Sequence, residues 1–265
     1  MSFRAFRALT AARCRVLLQY RAAAAAGIVT QLFWGLVRVM IFEAFYRAAA
    51  SPQPMSIGQV VSYVWLGQAT FRILPWAPDA DVRQQVRTGA VAIELLKPLD
   101  LYGLWYGRAL ASAAAPTLLR ALPMLALALS FLHLSPPDSL AAFAAWLSST
   151  FAAVLLAASF AALQSVLLLV TVSGEGLAQL VPITVYILSG LVVPLPLLPP
   201  RLQRVLELLP FRGVMDTPLR LWTGSLAAAA APALIAGQLA WTAAIVVAGR
   251  ALLSRLLARL EVHGG

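Results

Sequence analysis

Apolar runs separated by short polar segments make up most of the chain. Six of these runs lie at about residues 22–46, 57–73, 101–132, 140–172, 177–193 and 226–250. A membrane-spanning helix needs about 17 to 25 predominantly apolar residues. The pattern therefore predicts an all-α polytopic membrane protein with six transmembrane helices.

The first 21 residues have a different pattern, in which apolar and basic positions follow the period of a helix. Arg4, Arg7 and Arg15 share one side of this helix, and Arg13 lies off the pattern. The apolar side consists of Phe3, Phe6, Leu9, Val16, Leu17 and Tyr20. Such a segment is typical of an interfacial helix that lies on the membrane surface. The apolar run after it is too long for the core of a signal peptide, so we expect it to remain as the first span.

A polar segment at residues 79–100 is the only long interruption in the first half of the chain. Asp79 follows a proline and is a favourable N-cap, and Gly89 can end the short helix that Asp79 begins. A second short stretch with Glu94 runs up to Pro98, where a helix cannot continue regularly. We predict two short helices on one side of the membrane, with charged side chains available to a soluble partner.

Prolines and charged residues fill residues 194–225, between the fifth and sixth apolar runs. The prolines exclude a regular helix at the start of this segment, and the charges make it too polar to cross the membrane. The apolar face of its first helical piece consists of Leu202, Val205, Leu206 and Leu209. Pro210 ends that piece. We predict a hairpin of short amphipathic helices on the outer side.

Arginines cluster near both ends of the chain. Five precede the first span, and Arg250, Arg255 and Arg259 follow the core of the sixth. Cytoplasmic segments of membrane proteins carry an excess of Lys and Arg, so we expect both termini in the cytoplasm. The alternation of spans then places residues 79–100 on the same side.

Arg38 and Arg120 lie within predicted spans. An ionisable residue inside a membrane is a candidate functional residue by default, so we single out both as candidates for a translocation pathway. Counted along the helix from Arg108, Arg120 lies about 18 Å further on, near the middle of the bilayer. A structural pairing inside the bundle is the alternative for both residues.

Composition supports the membrane interpretation. The chain is 61% hydrophobic and 11% charged, with a mean hydropathy of +0.84. Soluble domains are about 25% charged, so no separate soluble catalytic domain fits here. The net charge of +10 is explained by arginines near anionic lipid headgroups, and we expect membrane lipids rather than nucleic acid as partners. The single cysteine, Cys14, excludes an intrachain disulfide.

Candidate chemistry is sparse. No G-x-x-x-x-G-K-[ST] loop is present, so we expect no ATP site, cofactor or metal in this chain. Asp79 and Asp81 could hold Mg²⁺ against a phosphate, as in a membrane-embedded lipid-modifying enzyme, but N-capping and an i,i+4 pair with Arg83 explain them more simply. An ion-coupled secondary transporter is a further alternative. Glu43 is the only acid inside a predicted span, and it can pair with Arg47.

Two motifs resemble a known family. Residues 87–102, Arg-Thr-Gly-Ala-Val-Ala-Ile-Glu-Leu-Leu-Lys-Pro-Leu-Asp-Leu-Tyr, resemble the R-[ST]-G…L-L-[KR]-P segment of type-2 ABC-transporter permeases. Residues 188–195, Leu-Ser-Gly-Leu-Val-Val-Pro-Leu, and Leu209-Pro-Phe211 resemble the turn at the outer end of the fifth span in that family.

The resemblance implies a permease subunit of an ATP-driven exporter in a bacterial cytoplasmic (inner) membrane. Residues 1–265 would form one transmembrane domain with a partly re-entrant outer hairpin. A second permease, the same or a homologous chain, would complete the translocation pathway, and two ABC ATPase subunits would bind ATP and Mg²⁺. Residues 79–100 would be the coupling segment. Its predicted contacts with the ATPase are Val86, Arg87, Gly89, Glu94, Leu95 and Lys97.

Overall fold

A computed structural model describes residues 3–96, 99–170 and 175–258. The fold is 79% helix and has no strand in these ranges, which confirms the all-α prediction. The helices are α1 (Phe3–Leu17), α2 (Arg21–Ala48), α3 (Ile57–Thr70), α4 (Ala80–Arg87), α5 (Val91–Leu95), α6 (Leu101–Phe131), α7 (Leu140–Leu167), α8 (Glu175–Leu188), α9 (Pro200–Leu208), α10 (Asp216–Trp222) and α11 (Ala231–Leu257).

Among the described residues, four helices are long and apolar enough to cross a membrane: α2, α6, α7 and α11. They correspond to the first, third, fourth and sixth predicted spans. The other two apolar helices, α3 and α8, have 14 residues each in the described part of the chain. At 1.5 Å per residue each is about 21 Å long, shorter than a hydrocarbon core of about 30 Å. The count of six spans therefore stays a prediction.

The short helix α3 lies at the centre of the bundle, against α2 and α6. Every residue from Ser62 to Thr70 is buried. The ring of Trp65, 2% exposed, lies directly against the backbone of α2 at Gly35. The apolar character of α3 thus reflects burial in protein as well as any contact with lipid.

Helix α7 connects the second half of the bundle, because it packs against α6, α8, α10 and α11. Its many Ala and Ser residues allow close approach, as the composition predicts. Ser149 donates its hydroxyl hydrogen bond to Gln238 Oε1 over 3.1 Å. Gln238 in turn donates to the carbonyl oxygens of Ser149 at 3.1 Å and Gly213 at 2.6 Å. This network ties α7 and α11 to the outer hairpin.

The outer hairpin contains short helical pieces, as predicted, and α9 ends just before Pro210. Its turn after α8 is held by buried polar groups around Gly190, whose φ is 84°. Asp216 accepts hydrogen bonds from the Tyr63 hydroxyl at 3.0 Å and the Leu195 backbone N–H at 3.2 Å. The predicted apolar face of α9 is only partly covered, because Leu206 is buried and Leu209 is half-buried, while Leu202 and Val205 are exposed.

The contact at Gly35 gives a test of this packing. A Cβ there would lie against Trp65 and within 2.8 Å of its Cη2 atom. We expect Gly35→Ala to destabilise the protein by about 1 to 3 kcal/mol, because the buried indole cannot move away. The measurement is the melting temperature of the purified protein in one detergent.

Gly237→Ala is the matched control, because a Cβ at that position has nothing within 4 Å. We expect this helical glycine to tolerate alanine without loss of stability. Equal melting temperatures for the two variants would contradict the packing of α3 on α2.

Candidate functional site

The predicted coupling segment forms two short helices, α4 and α5, joined by a tight turn. The Asp79 side chain accepts from the backbone N–H groups of Asp81 at 3.0 Å and Val82 at 3.4 Å, which confirms it as the N-cap of α4. Gly89 follows α4 with a φ of 71°, a conformation that favours glycine. Gln85 on α4 donates to Glu94 on α5 over 3.3 Å, so the two helices are also joined by side chains.

The side of this segment that faces the bundle packs against three long helices. Val82 and Val91 are buried, and they share one apolar cluster with residues of α6, α7 and α11. The fully or largely buried members from the long helices are Leu101, Tyr102, Trp105, Ala162, Val166 and Leu253. The position of α4 and α5 is therefore linked to the position of the helices that form the bundle.

An ion cluster fixes the start of the segment. We use this name for Asp79, Asp81, Arg13 and Arg108. Arg13 contacts Asp79 at 3.0 Å and Asp81 at 3.2 Å. Arg108 contacts Asp79 at 3.2 Å and also pairs with Asp81. The Asp79 side chain is 4% exposed and that of Asp81 is 53% exposed, so α1, α4 and α6 meet around one nearly buried carboxylate.

The predicted pairing of Asp79 with Arg83 is wrong. Capping of α4 fixes the Asp79 carboxylate beside the backbone N–H groups at the helix start, and in that position it meets Arg13 and Arg108. The i,i+4 rule describes pairs along one helix, whereas these partners come from α1 and α6. Each of the two aspartates contacts two guanidinium groups.

Helix α1 packs along α6, which explains why Arg13 lies off its amphipathic pattern. A Cβ at Gly107 would lie 2.7 Å from Thr10 Oγ1 and 3.1 Å from a ring carbon of Phe6, so glycine allows the close approach. Phe6 also stacks on Tyr106 with ring centroids 6.5 Å apart. One face of α1 therefore contacts protein and directs Arg13 towards the aspartates. The placement of α1 on a membrane surface stays a prediction.

The end of the segment has its own ion pair. Arg250 on α11 contacts Asp100 at 2.6 Å and lies over the ring of Tyr102, 5.2 Å from its centroid. This arginine was predicted only as a marker of the cytoplasmic side. It connects α11 to the point where the segment enters α6.

The predicted ATPase contacts differ in accessibility. Arg87, Gly89 and Leu95 are exposed, whereas Val86 and Glu94 are partly buried against neighbouring groups. Lys97 lies outside the described residues. Sequence reasoning missed the two most exposed apolar side chains of the segment, Ile93 at 61% and Leu96 at 85%. The sequence signal that could have identified both residues was an apolar side chain next to charged residues of the segment.

Arg38 lies beside the turn that follows α8. Its guanidinium donates to the carbonyl oxygen of Val192 over 2.8 Å and also to that of Leu191. These carbonyls follow the end of a helix, where backbone acceptors lack helical partners. A role of Arg38 in a translocation pathway stays a prediction.

Arg120 contacts the start of α2. Its Nη2 atom donates to the carbonyl oxygen of Ala23 over 3.3 Å, and its guanidinium lies against Gly27. Gly27 is six residues, or about 9 Å, from Arg21 at the start of α2. The expected depth of Arg120 near the middle of the bilayer stays a prediction. Helix α6 is about 46 Å long, and its first turns share an apolar cluster with α4 and α5.

Comparison with known families decides the identity. The family described as ABC-2 family transporter protein matches residues 32–264. The chain belongs to the ABC-2 transporter family. It is therefore a membrane permease component of an ABC transporter. The matched range begins within α2 and covers residues 79–100 and the long helices α6, α7 and α11. Helix α1 lies before it. No curated protein and no solved structure matches the chain significantly.

The ion cluster of this ABC-2 permease gives a second test. We expect Asp79→Asn to destabilise the protein by roughly 3 kcal/mol, because two arginines lose a buried partner. Asparagine can still cap α4, so the loss reports the charges and not the cap. The measurement is chemical or thermal unfolding in one detergent.

Glu43→Gln is the control, because Glu43 pairs with Arg47 at 2.9 Å, as predicted, but both side chains are well exposed. An exposed pair of this kind contributes about 1 kcal/mol or less. If the two variants lose the same stability, the ion cluster does not hold the segment in place.

Proposed function

We propose that this permease is a subunit of an ATP-driven exporter and that residues 79–100 dock on a separate ATPase subunit. One observation carries the proposal. The segment has buried residues that attach it to α1, α6, α7 and α11, and it also exposes Ile93, Leu96 and Arg87. Such a surface suits a protein partner, because apolar side chains there gain from burial.

The charge distribution supports a cytoplasmic partner. Arginines are concentrated on α1 and near the C-terminal end of α11, and both helices contact α6 next to the segment. Under the positive-inside rule this end of the bundle faces the cytoplasm, where ATP is available. In the proposed topology α3 and α8 complete six spans, residues 194–225 cap the outer side, and both termini are cytoplasmic.

The proposed mechanism is mechanical coupling. ATP and Mg²⁺ bind in the partner ATPase, and closure of two ATPase subunits pushes on α4 and α5. The permease pair, formed with a second copy or a homologous chain, then shifts between two arrangements. Export as the direction, and a bacterial inner membrane as the location, are supported by the resemblance of residues 87–102 to exporter permeases.

A co-purification experiment tests the docking surface. We expect a protein with a G-x-x-x-x-G-K-[ST] motif to purify with the tagged permease from its native membrane in mild detergent. Leu96→Asp removes an exposed leucine from the contact and adds a charge. Burial of a leucine contributes about 1.5 to 3 kcal/mol, so we expect the association to weaken at least tenfold.

Leu208→Asp is the matched control, because Leu208 is 76% exposed on α9 in the outer hairpin. It makes the same chemical change away from the proposed contact, so the ATPase should remain bound. Arg87→Glu should weaken binding as Leu96→Asp does. Retention of the ATPase by both segment variants, or its loss from the Leu208→Asp protein alone, would rule out the proposed docking surface.

A further inference from the structure

A cavity of about 470 Å³ lies between α2, α8 and the turn that follows α8. Its wall is largely apolar and includes the aromatic side chains of Trp34, Phe42 and Phe45 from α2 and Tyr186 from α8. Phe42 is buried, whereas Trp34 and Phe45 are about half exposed, so the cavity is open at the surface of the bundle. Small-molecule cavities in proteins have volumes of about 300 to 1,000 Å³. The size and the wall of this cavity therefore suit a small ligand with an apolar body.

Arg38 also lines this cavity, and only part of its guanidinium is used by the protein. Its hydrogen bonds to described residues both start at Nη2 and end at the carbonyl oxygens of Leu191 and Val192. A guanidinium carries further N–H donors on Nε and Nη1. Within the described chain these two atoms have no acceptor, and they are not fully buried. Arg38 therefore offers charged donors that a ligand in the cavity can reach.

The charge of Arg38 has no counter-charge among the described residues. Glu43, the acid of the same helix, pairs with Arg47 at 2.9 Å. By contrast, Arg220 has its own carboxylate partner in Asp216. The two carbonyl oxygens beside Arg38 accept hydrogen bonds but do not neutralise its charge. A charge among apolar side chains is costly unless it is paired, and a negatively charged ligand group would supply the partner.

We propose that this cavity binds a compact amphipathic anion, with its charged group on Arg38 and its apolar body against the aromatic wall. Guanidinium groups form strong, charge-assisted hydrogen bonds with anions, and burial of the apolar body adds affinity. No acid is present among the described residues of the wall, so a cationic ligand would meet only the like charge of Arg38. Binding requires the permease alone, so it holds whether or not residues 79–100 dock on an ATPase.

Binding of radiolabelled laurate to the purified permease tests the site, with dodecanol as the matched neutral ligand. The two molecules have the same chain length, and at about pH 8 only laurate carries a negative charge. Scintillation proximity on the immobilised protein in one detergent measures both at matched free concentrations. We expect laurate to bind about tenfold more tightly, the equivalent of one hydrogen bond to a charged group. Equal affinity of the wild-type protein for the two ligands would overturn the proposal.

Charge variants locate the anionic group. Arg38→Gln should weaken laurate binding about tenfold and leave dodecanol binding unchanged, which also shows that the cavity is still formed. Arg38→Lys keeps the charge and should keep the preference for laurate. Arg47→Gln removes the same charge from an exposed position of α2 outside the cavity wall and should leave both ligands unaffected. An unchanged preference for laurate in the Arg38→Gln protein would overturn the proposal.

Variants of the wall test the cavity independently of Arg38. Phe45→Ala changes a half-exposed side chain, so the fold should tolerate it, and it should weaken the binding of both ligands about fivefold. Phe151→Ala is the matched control, because Phe151 is 67% exposed on α7 and lies outside the wall. Equal binding by these two variants would overturn the assignment to this cavity.

Phosphatidylglycerol separates a compact ligand from an ordinary membrane lipid. It carries a negative charge, but its two acyl chains and headgroup are too large for a cavity of about 470 Å³. We expect it not to displace laurate at equal concentration, whereas unlabelled laurate should. Displacement by phosphatidylglycerol as effective as that by laurate would overturn the assignment to a compact anion.

Discussion

The contact of two aspartates with two arginines joins α1, α4 and α6 at one end of the bundle. Asp79 begins the coupling segment and is nearly buried between Arg13 of α1 and Arg108 of α6. Removing one member would leave charges in a poorly solvated place, which is costly. Helices α1, α4 and α6 are therefore joined by a contact that resists separation, and Arg250 joins α11 through Asp100.

A second set of buried polar contacts holds residues 194–225 and the turn before them. Asp216 and Gln238 satisfy backbone groups of the hairpin, and Arg38 does so for the turn after α8. Between the two ends the contacts are mainly those of small residues and of Trp65 packed on Gly35. Asp79 and Asp81 each contact two guanidinium groups, and this favours a structural role over the Mg²⁺ site of a lipid-modifying enzyme.

Local pattern predicted most helices, and tertiary contacts explain the errors. The bounds of α6 and the end of α9 at Pro210 follow from apolar run length and proline chemistry, which act within a few residues. The pairing of Asp79 with Arg13 could not be predicted from local pattern, because the two residues are 66 positions apart in the chain. Arg13 was visible only as an exception to the amphipathic pattern. The contact of Arg120 with Ala23 likewise depends on how α6 packs on α2, which local pattern does not give.

The most direct test measures distances within the complete transporter by pulsed electron spin resonance. Spin labels at Arg7→Cys on α1 and Gln84→Cys on α4, in a Cys14→Ser background, report whether these helices stay together. A second pair, Gln84→Cys with Leu140→Cys at the start of α7, reports change across the bundle. On ATP binding the first distance should stay constant while the second changes. A change in the first distance would contradict the view that the ion cluster makes α1 and the coupling segment one unit.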